Sequence, residues 1–375
     1  MFKDKISRKK LIIIIVVCIV VASIMTGVLV GTLTPFENIS IKGMHFRKIK
    51  KSGKGYNNYE LISYTGQQEE VVIPSKVRGV PVVKIGSNVF EKNNSITKIS
   101  VPDSIIDVAS SCFAKCVNLK YNQFDNALYI GNEKNPYVLL IKATDVDIKS
   151  CEINSETRII CGSAFIDCNF LEDIIIPDKV IDIGYRAFDS CENLKSIHIP
   201  KSLTHIGEYA FAIRNLENTY ITDLTAWCNI DFEGYPGIGN LYLNNKLITE
   251  LIIPEGVTEI KSRAFCGCTS IKSVTLPTSV RLIDDNAFAG CTELVNINIP
   301  SQVYYIGEAA FWYCKNLKEI FIPESVRYIK DSAFYNCSSL TIYCEASKFS
   351  GQFGLWDDNW NPDKRPVEYG CTWWN

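Results

Sequence analysis

Leu194-Lys195-Ser196-Ile197-His198-Ile199-Pro200, continued by Leu203, Ile206, Gly207, Ala210 and Phe211, contains one complete structural unit. Ile197 and Ile199 alternate around His198, the spacing of a strand with one buried face. Pro200 has no N–H to give a ladder and ends that strand. Gly207 permits a sharp bend. The apolar residues of one such unit are too few to close a core, so the unit has to be repeated. It is. Cysteines stand at 268, 291, 314 and 337, each 23 residues apart, and Cys168 and Cys191 keep the same interval. Three residues before each stands Phe165, Phe188, Phe265, Phe288, Phe311 or Phe334, and Phe113 with Cys116 follows the rule. Phe90 and Phe211 keep the phenylalanine, with Asn93 and Arg214 at the cysteine position. Eleven residues before seven of these nine anchors lies a proline: Pro102, Pro177, Pro200, Pro254, Pro277, Pro300 and Pro323. The periodicity predicts a mostly β solenoid in which each coil lays its phenylalanine against the next.

The pattern L-x-x-I-x-I-P-x-S-V-x-x-I-x-x-x-A-F-x-x-C, cleanest over Ile271–Phe288, Leu294–Phe311 and Leu317–Phe334, resembles the BspA-like leucine-rich repeats of bacterial and protist surface proteins. The resemblance covers residues 56–345 and includes Tyr59-Glu60-Leu61-Ile62-Ser63-Tyr64-Thr65-Gly66, which looks like that family's first strand. It implies a curved leucine-rich-repeat solenoid with the L-x-x-I-x-I strands on the concave side.

The solenoid is therefore expected over 56–344. Two stretches break the period, near 121–150 and 214–246, and both carry strand-like apolar runs around turn residues. They read as ordered excursions. The tail 345–375 holds Phe349, Phe353, Trp356, Trp360, Tyr369, Trp373 and Trp374 and reads as an aromatic C-terminal cap, with a glycan-binding patch as the sharper alternative.

Ahead of the repeats, Leu11–Leu33 is a run of 23 uncharged residues. At ~1.5 Å per residue it spans roughly 34 Å as a helix, enough to cross a bilayer core. It is longer than a signal-peptide core, so an uncleaved transmembrane anchor is expected, the alternative being secretion after cleavage. Arg8, Lys9 and Lys10 abut its start. The expected organisation is a cytoplasmic tail over 1–10, the anchor over 11–33, a basic linker over 34–55, and the body at the cell surface. Residues 1–54 carry eleven Lys/Arg against two Asp/Glu, leaving 28 against 39 for 55–375. An acidic body offers nucleic acid no footprint, whereas the basic end suits a membrane surface.

Signals for chemistry are few. The three histidines are His45, His198 and His205, and the latter two share one repeat. Cys266-x-Cys268 lacks the second pair of a zinc site. No Gly-rich phosphate loop occurs. Seven cysteines occupy one repeating position, where a buried thiol is a small packing group. No catalytic residue, cofactor or metal is expected, and the chain reads as a non-enzyme. The expected function is recognition of a protein or glycan ligand by the strand ladder, with adhesion as one use of it. Ser100, Ile175, His198, Ile252, Thr275, Asn298 and Phe321, two before each proline, point outward by alternation and form a candidate binding stripe. The alternatives are a structural spacer without a ligand, and a hydrolase with its site in the two excursions.

Overall fold

The computed structural model describes residues 38–51, 54–213, 216–347 and 355–372. They form a mostly β solenoid, with the one short helix Leu224–Cys228 among the described residues. The 11–33 segment and the 1–10 tail lie outside them; among the described residues no helix is long and apolar enough to cross a membrane.

Each coil contributes to two parallel ladders. The first ladder collects the L-x-x-I-x-I strands. Asp173–Ile175, Ser196–Ile199, Asn218–Ile221 and Asn240–Leu243 make one run, and Glu250–Ile252, Ser273–Thr275 and Asn296–Ile297 another. Glu319–Ile322, Thr341–Cys344 and Val367–Tyr369 make a third, while Glu70–Val72 pairs with Lys98–Ser100 near the N-terminal end. The second ladder takes the isoleucine that precedes each phenylalanine by five residues. Ile260, Ile283, Ile306 and Ile329 are neighbours in register and fully buried.

The third side of each coil is the phenylalanine turn. Phe265, Phe288, Phe311 and Phe334 stack with ring centroids 5.5, 5.7 and 5.5 Å apart and planes within 9° of parallel. All four are fully buried. This offset stacking is a favourable aromatic geometry, reached because 23-residue coils repeat without slippage. The backbone of the turn is also bonded from coil to coil. The N–H of Phe165, Phe188, Phe265, Phe288 and Phe311 donates to the carbonyl of Ala187, Ala210, Ala287, Ala310 and Ala333. Aiming those groups along the stack requires left-handed backbone on both sides of the phenylalanine. Ser163, Arg186, Tyr209, Arg263, Asn286, Ala309 and Ser332, two before it, have φ between 53° and 63°. Asp167, Ser190, Gly267, Gly290, Tyr313 and Asn336, two after it, are left-handed too. Most are not glycine, so each coil accepts a local cost of about 1–2 kcal/mol per residue that the inter-coil bonds offset.

The repeating cysteine completes the turn. The thiols of Cys116, Cys191, Cys291, Cys314 and Cys337 donate to the carbonyls of Phe90, Phe165, Phe265, Phe288 and Phe311, with Sγ···O between 2.8 and 3.2 Å. Each thiol thus satisfies a buried carbonyl of the coil before it. Burial pushes the Cys191 and Cys337 thiols up to about 12, so they stay protonated donors. In the first coil Asn93 instead accepts from the N–H groups of Ser95 and Ile96 through Oδ1.

Gly207 serves a purpose other than the expected bend. Its φ lies outside the left-handed region, and a Cβ there would meet the Tyr185 nitrogen at 2.6 Å. Glycine is needed for the close approach of adjacent coils.

Two expected boundaries change. The described part of the expected linker over 34–55 is strand instead: Ile39–Ile41, Met44–Lys51 and Lys54–Tyr64 form an antiparallel meander whose last strand joins Val80–Ile85 in parallel. Met44, Phe46, Tyr59 and Leu61 bury its inner face, and the interspersed lysines hid that alternation over 44–51. The 214–246 excursion is largely solenoid: Asn218–Ile221 and Asn240–Leu243 continue the first ladder at a 22-residue interval. Trp227 of the short helix is buried there and donates Nε1 to the Ala264 carbonyl. The 121–150 excursion is ordered as expected. Asn122–Phe124, Ala127–Ile130 and Leu139–Ala143 form antiparallel pairs that lead into the second ladder. At the C-terminal end Trp360 meets Phe334 edge-on at 5.9 Å and the buried Trp356, which closes the phenylalanine stack.

Phe288→Ala should cost about 3–5 kcal/mol in denaturant melts, and the exposed Thr275→Ala under about 0.5 kcal/mol; equal losses would contradict this packing. Native protein should leave Cys291, Cys314 and Cys337 unlabelled by a maleimide, with labelling only after denaturation. Disulfide-linked Cys291–Cys314 peptides in unreduced digests would overturn the thiol–carbonyl ladder.

Candidate binding face

The outer face of the first ladder follows from strand alternation. In Asp173–Ile175 and its neighbours the flanking residues Ile174 and Ile176 are buried, so Ile175 stands out, 63% exposed. Register then brings residues from successive coils side by side. Ile175 faces His198, which faces Tyr220, which faces Tyr242. His198 and Tyr220 stack at 4.6 Å and 11°, and Tyr220 and Tyr242 at 4.8 Å and 28°. Further along, Ile252, 66% exposed, faces Thr275, and Asn298 follows the Ile297 that pairs with Val274. Phe321 faces Tyr343, which faces Glu368. Ser100 faces the exposed Val72. The expected stripe is therefore distributed over four runs of the ladder rather than one unbroken row.

The same register adds Val72, Tyr220, Tyr242 and Tyr343. Val72 precedes Pro74 by two, but the other three precede no proline by two and follow their partners by 22 residues rather than 23. Counting from the proline therefore missed them; counting from His198 and Phe321 along the coils would have found them.

One of the gaps between these runs lies beside an altered coil-to-coil bond. The sheet beginning at Glu250–Ile252 ends at Asn296–Ile297, and a separate sheet begins at Glu319–Ile322. In other coils the N–H at the next position donates to a main-chain carbonyl, as Ile176 does to His198 and Ile253 to Thr275. One junction before that break, Leu276 donates instead to Asn298 Oδ1 at 2.7 Å, and Asn298 Nδ2 returns a bond to the Leu276 carbonyl at 3.0 Å. The carboxamide stands in for the backbone. Beside it opens a hollow of about 560 Å³, lined among others by Thr275, Asn296, Asn298, Glu319, Phe321 and Tyr343.

The histidines separate. His198 lies on the first ladder and His205 on the second, so one repeat does not bring them together. His205 has carboxylate partners that the sequence reading did not assign: Nδ1 lies 2.5 Å from Asp182 Oδ1 and Nε2 3.3 Å from Glu233 Oε1. Asp182 precedes it by one 23-residue period and is nearly fully buried. Burial of His205 opposes its charge, but the hydrogen bond and field of Asp182, joined by Glu233, prevail and raise it to about 9. Among the described residues no group of three or more His, Cys, Asp or Glu side chains could hold a metal ion.

Two parallel ladders closed by a stacked phenylalanine turn, coil upon coil, define a leucine-rich-repeat solenoid. The chain belongs to the BspA type leucine-rich repeat family, whose model matches residues 59–134, 143–234 and 236–350 in six copies. Solved structures similar to it include a leucine-rich cell surface protein from Faecalibacterium prausnitzii, at 23% identity over 90% of this chain and 95% of that one, with a TM-score of 0.36. A leucine-rich repeat protein from Bacteroides ovatus is 19% identical over 88% and 99%, at a TM-score of 0.33. The pneumococcal vaccine antigen PcpA is 14% identical over 90% and 99%, at a TM-score of 0.42. No curated protein matches the chain.

Two outcomes follow. The stability that His205 draws from its carboxylates is fully present below its ordinary value near 6.5 and is lost as pH rises through about 9. With its open side in solvent, that contribution is about 1–2 kcal/mol. The full chain should lose it in melts between pH 7 and pH 10, and His205→Gln should flatten that change; parallel profiles would contradict the assignment. Asn298→Ala, which leaves the Leu276 N–H and carbonyl without the carboxamide, should cost about 1–3 kcal/mol rather than the negligible amount of a solvent-facing residue.

Proposed function

We propose that the chain is a cell-surface recognition protein, held in the membrane by residues 11–33 with its repeat body outside, that binds a protein or glycan through the outer face of the first ladder. One observation carries this reading. Val72, Ile175 and Ile252 are each at least 63% exposed on that face, and His198, Tyr220 and Tyr242 stack into an aromatic row beside Ile175. Solvent alone would favour polar residues there, and an apolar and aromatic strip on a rigid ladder loses little conformational entropy when a partner covers it. Membership of a leucine-rich repeat family agrees with a role in binding. Adhesion between cells, or to a matrix, is one use such a surface serves.

Protease added to intact cells should release peptides of the body while residues 1–10 stay protected; digestion only after lysis would place the body inside. Beads bearing the full chain should bind immobilised matrix proteins or glycans. The double variant Ile175→Asp, Ile252→Asp should lower that binding several-fold without changing the melt. Equal retention by variant and parent would remove the first-ladder face from the function.

A further inference from the structure

The break between Asn296–Ile297 and Glu319–Ile322 adjoins a hollow in the outer face, and its lining has a definite chemistry. Thr275, Asn296, Asn298, Glu319 and Thr372 bring hydroxyl, carboxamide and carboxylate groups to it, and Phe321 and Tyr343, neighbours in register, bring an aromatic wall. No lysine or arginine is among the described lining residues. At about 560 Å³ the hollow falls within the roughly 300–1,000 Å³ of small-molecule sites.

The coil that borders the break is bonded to the one before it in an unusual way. Asn298 occupies a position that is His198 or Thr275 in other coils, where the main-chain carbonyl takes the N–H of the preceding coil. Its carboxamide takes over that bond from Leu276 and returns a second one, so the coil is held by a side chain where the regular ladder would use backbone. A local departure from a rule that other coils obey is the kind of feature found at functional sites.

We infer that this hollow binds a neutral oligosaccharide of about two rings; the inference rests on the recognition reading above and gives it a place and a ligand class. A sugar hydroxyl both donates and accepts, which suits a lining of threonine, asparagine and glutamate side chains. The C–H face of a pyranose is apolar and packs on an aromatic wall. Glu319 accepts from hydroxyls but repels a carboxylated or sulfated ligand, and no lining cation offsets that repulsion. An acidic peptide is disfavoured on the same ground.

The test titrates the purified full chain with maltose, cellobiose, lactose and N,N′-diacetylchitobiose, with digalacturonic acid and a lysine-rich peptide as charged comparisons. At least one neutral disaccharide should bind saturably, and Glu319→Gln should weaken it about tenfold, the effect of removing a charge-assisted hydrogen bond. Glu319 is exposed, so this variant keeps its fold, which the far-ultraviolet spectrum and the melt check. Tyr343→Ala should weaken the same sugar. Absence of saturable binding by all four neutral disaccharides, preference for either charged ligand, or unchanged affinity in Glu319→Gln overturns the proposal. If bead binding to matrix proteins persists in that case and still depends on Ile175 and Ile252, the recognition reading stands while the sugar site falls. If bead binding is absent as well, both fall.

Discussion

The carbonyl oxygen of the repeated phenylalanine sits where three demands meet. It is buried beneath a stack of rings, it accepts the in-coil bond from the cysteine N–H, and it receives the thiol of the following coil. The cysteine N–H occupies one of its two lone pairs and leaves the other for the thiol. The thiol settles it with a side chain small enough to leave the ring stack undisturbed. Once that bond and the phenylalanine N–H bond are fixed, the flanking residues have to turn left-handed, the coil length is held near 23, and the two ladders follow in register. The left-handed backbone at Arg186, Tyr209 or Tyr313 is thus a consequence of the stack and not a local preference of those residues.

This hierarchy explains what the sequence revealed. The phenylalanine, cysteine and proline positions obey side-chain chemistry and were legible as a 23-residue recurrence. The left-handed positions obey backbone geometry imposed by neighbouring coils, and serine, arginine, tyrosine and alanine there give no local signal. The strand 44–51 was obscured because lysines share it with Phe46, whereas the strand 54–64 was legible from Tyr59 onward. The coil at 218–243 was obscured because Trp227 serves its core without a phenylalanine anchor and its interval shortens to 22 residues.

The outer face was legible in part for the same reason. Ile175, His198, Ile252 and Thr275 could be placed because alternation counts back from a proline. Tyr220, Tyr242 and Tyr343 end their strands without one. Asn298 was placed on the right face, but its exchange of bonds with Leu276 depends on a partner 22 residues earlier and could not be seen from its own repeat. His205 shows the converse: Asp182 stands one period before it, so the pair was written in the spacing, yet an aspartate in a short strand carries no mark of burial.

The gap in the first ladder also bears on how the rod carries load. A pull along the stack strains the bonds between coils, since the coils are joined along that axis by hydrogen bonds and packing rather than by local chain geometry. Most junctions share tension over two strand pairings and a bonded turn. Between the coils of Asn296–Ile297 and Glu319–Ile322 the first-ladder strands are not paired, and tension there passes mainly to Ile283–Ile306–Ile329 on the second ladder and to the phenylalanine turns. That seam keeps one ladder, whereas between Asn240–Leu243 and Glu250–Ile252 neither the first-ladder strands nor the second-ladder strands Asp231–Phe232 and Glu259–Ile260 are paired, so the solenoid would part there first under traction, at the seam that Trp227 bridges to the Ala264 carbonyl.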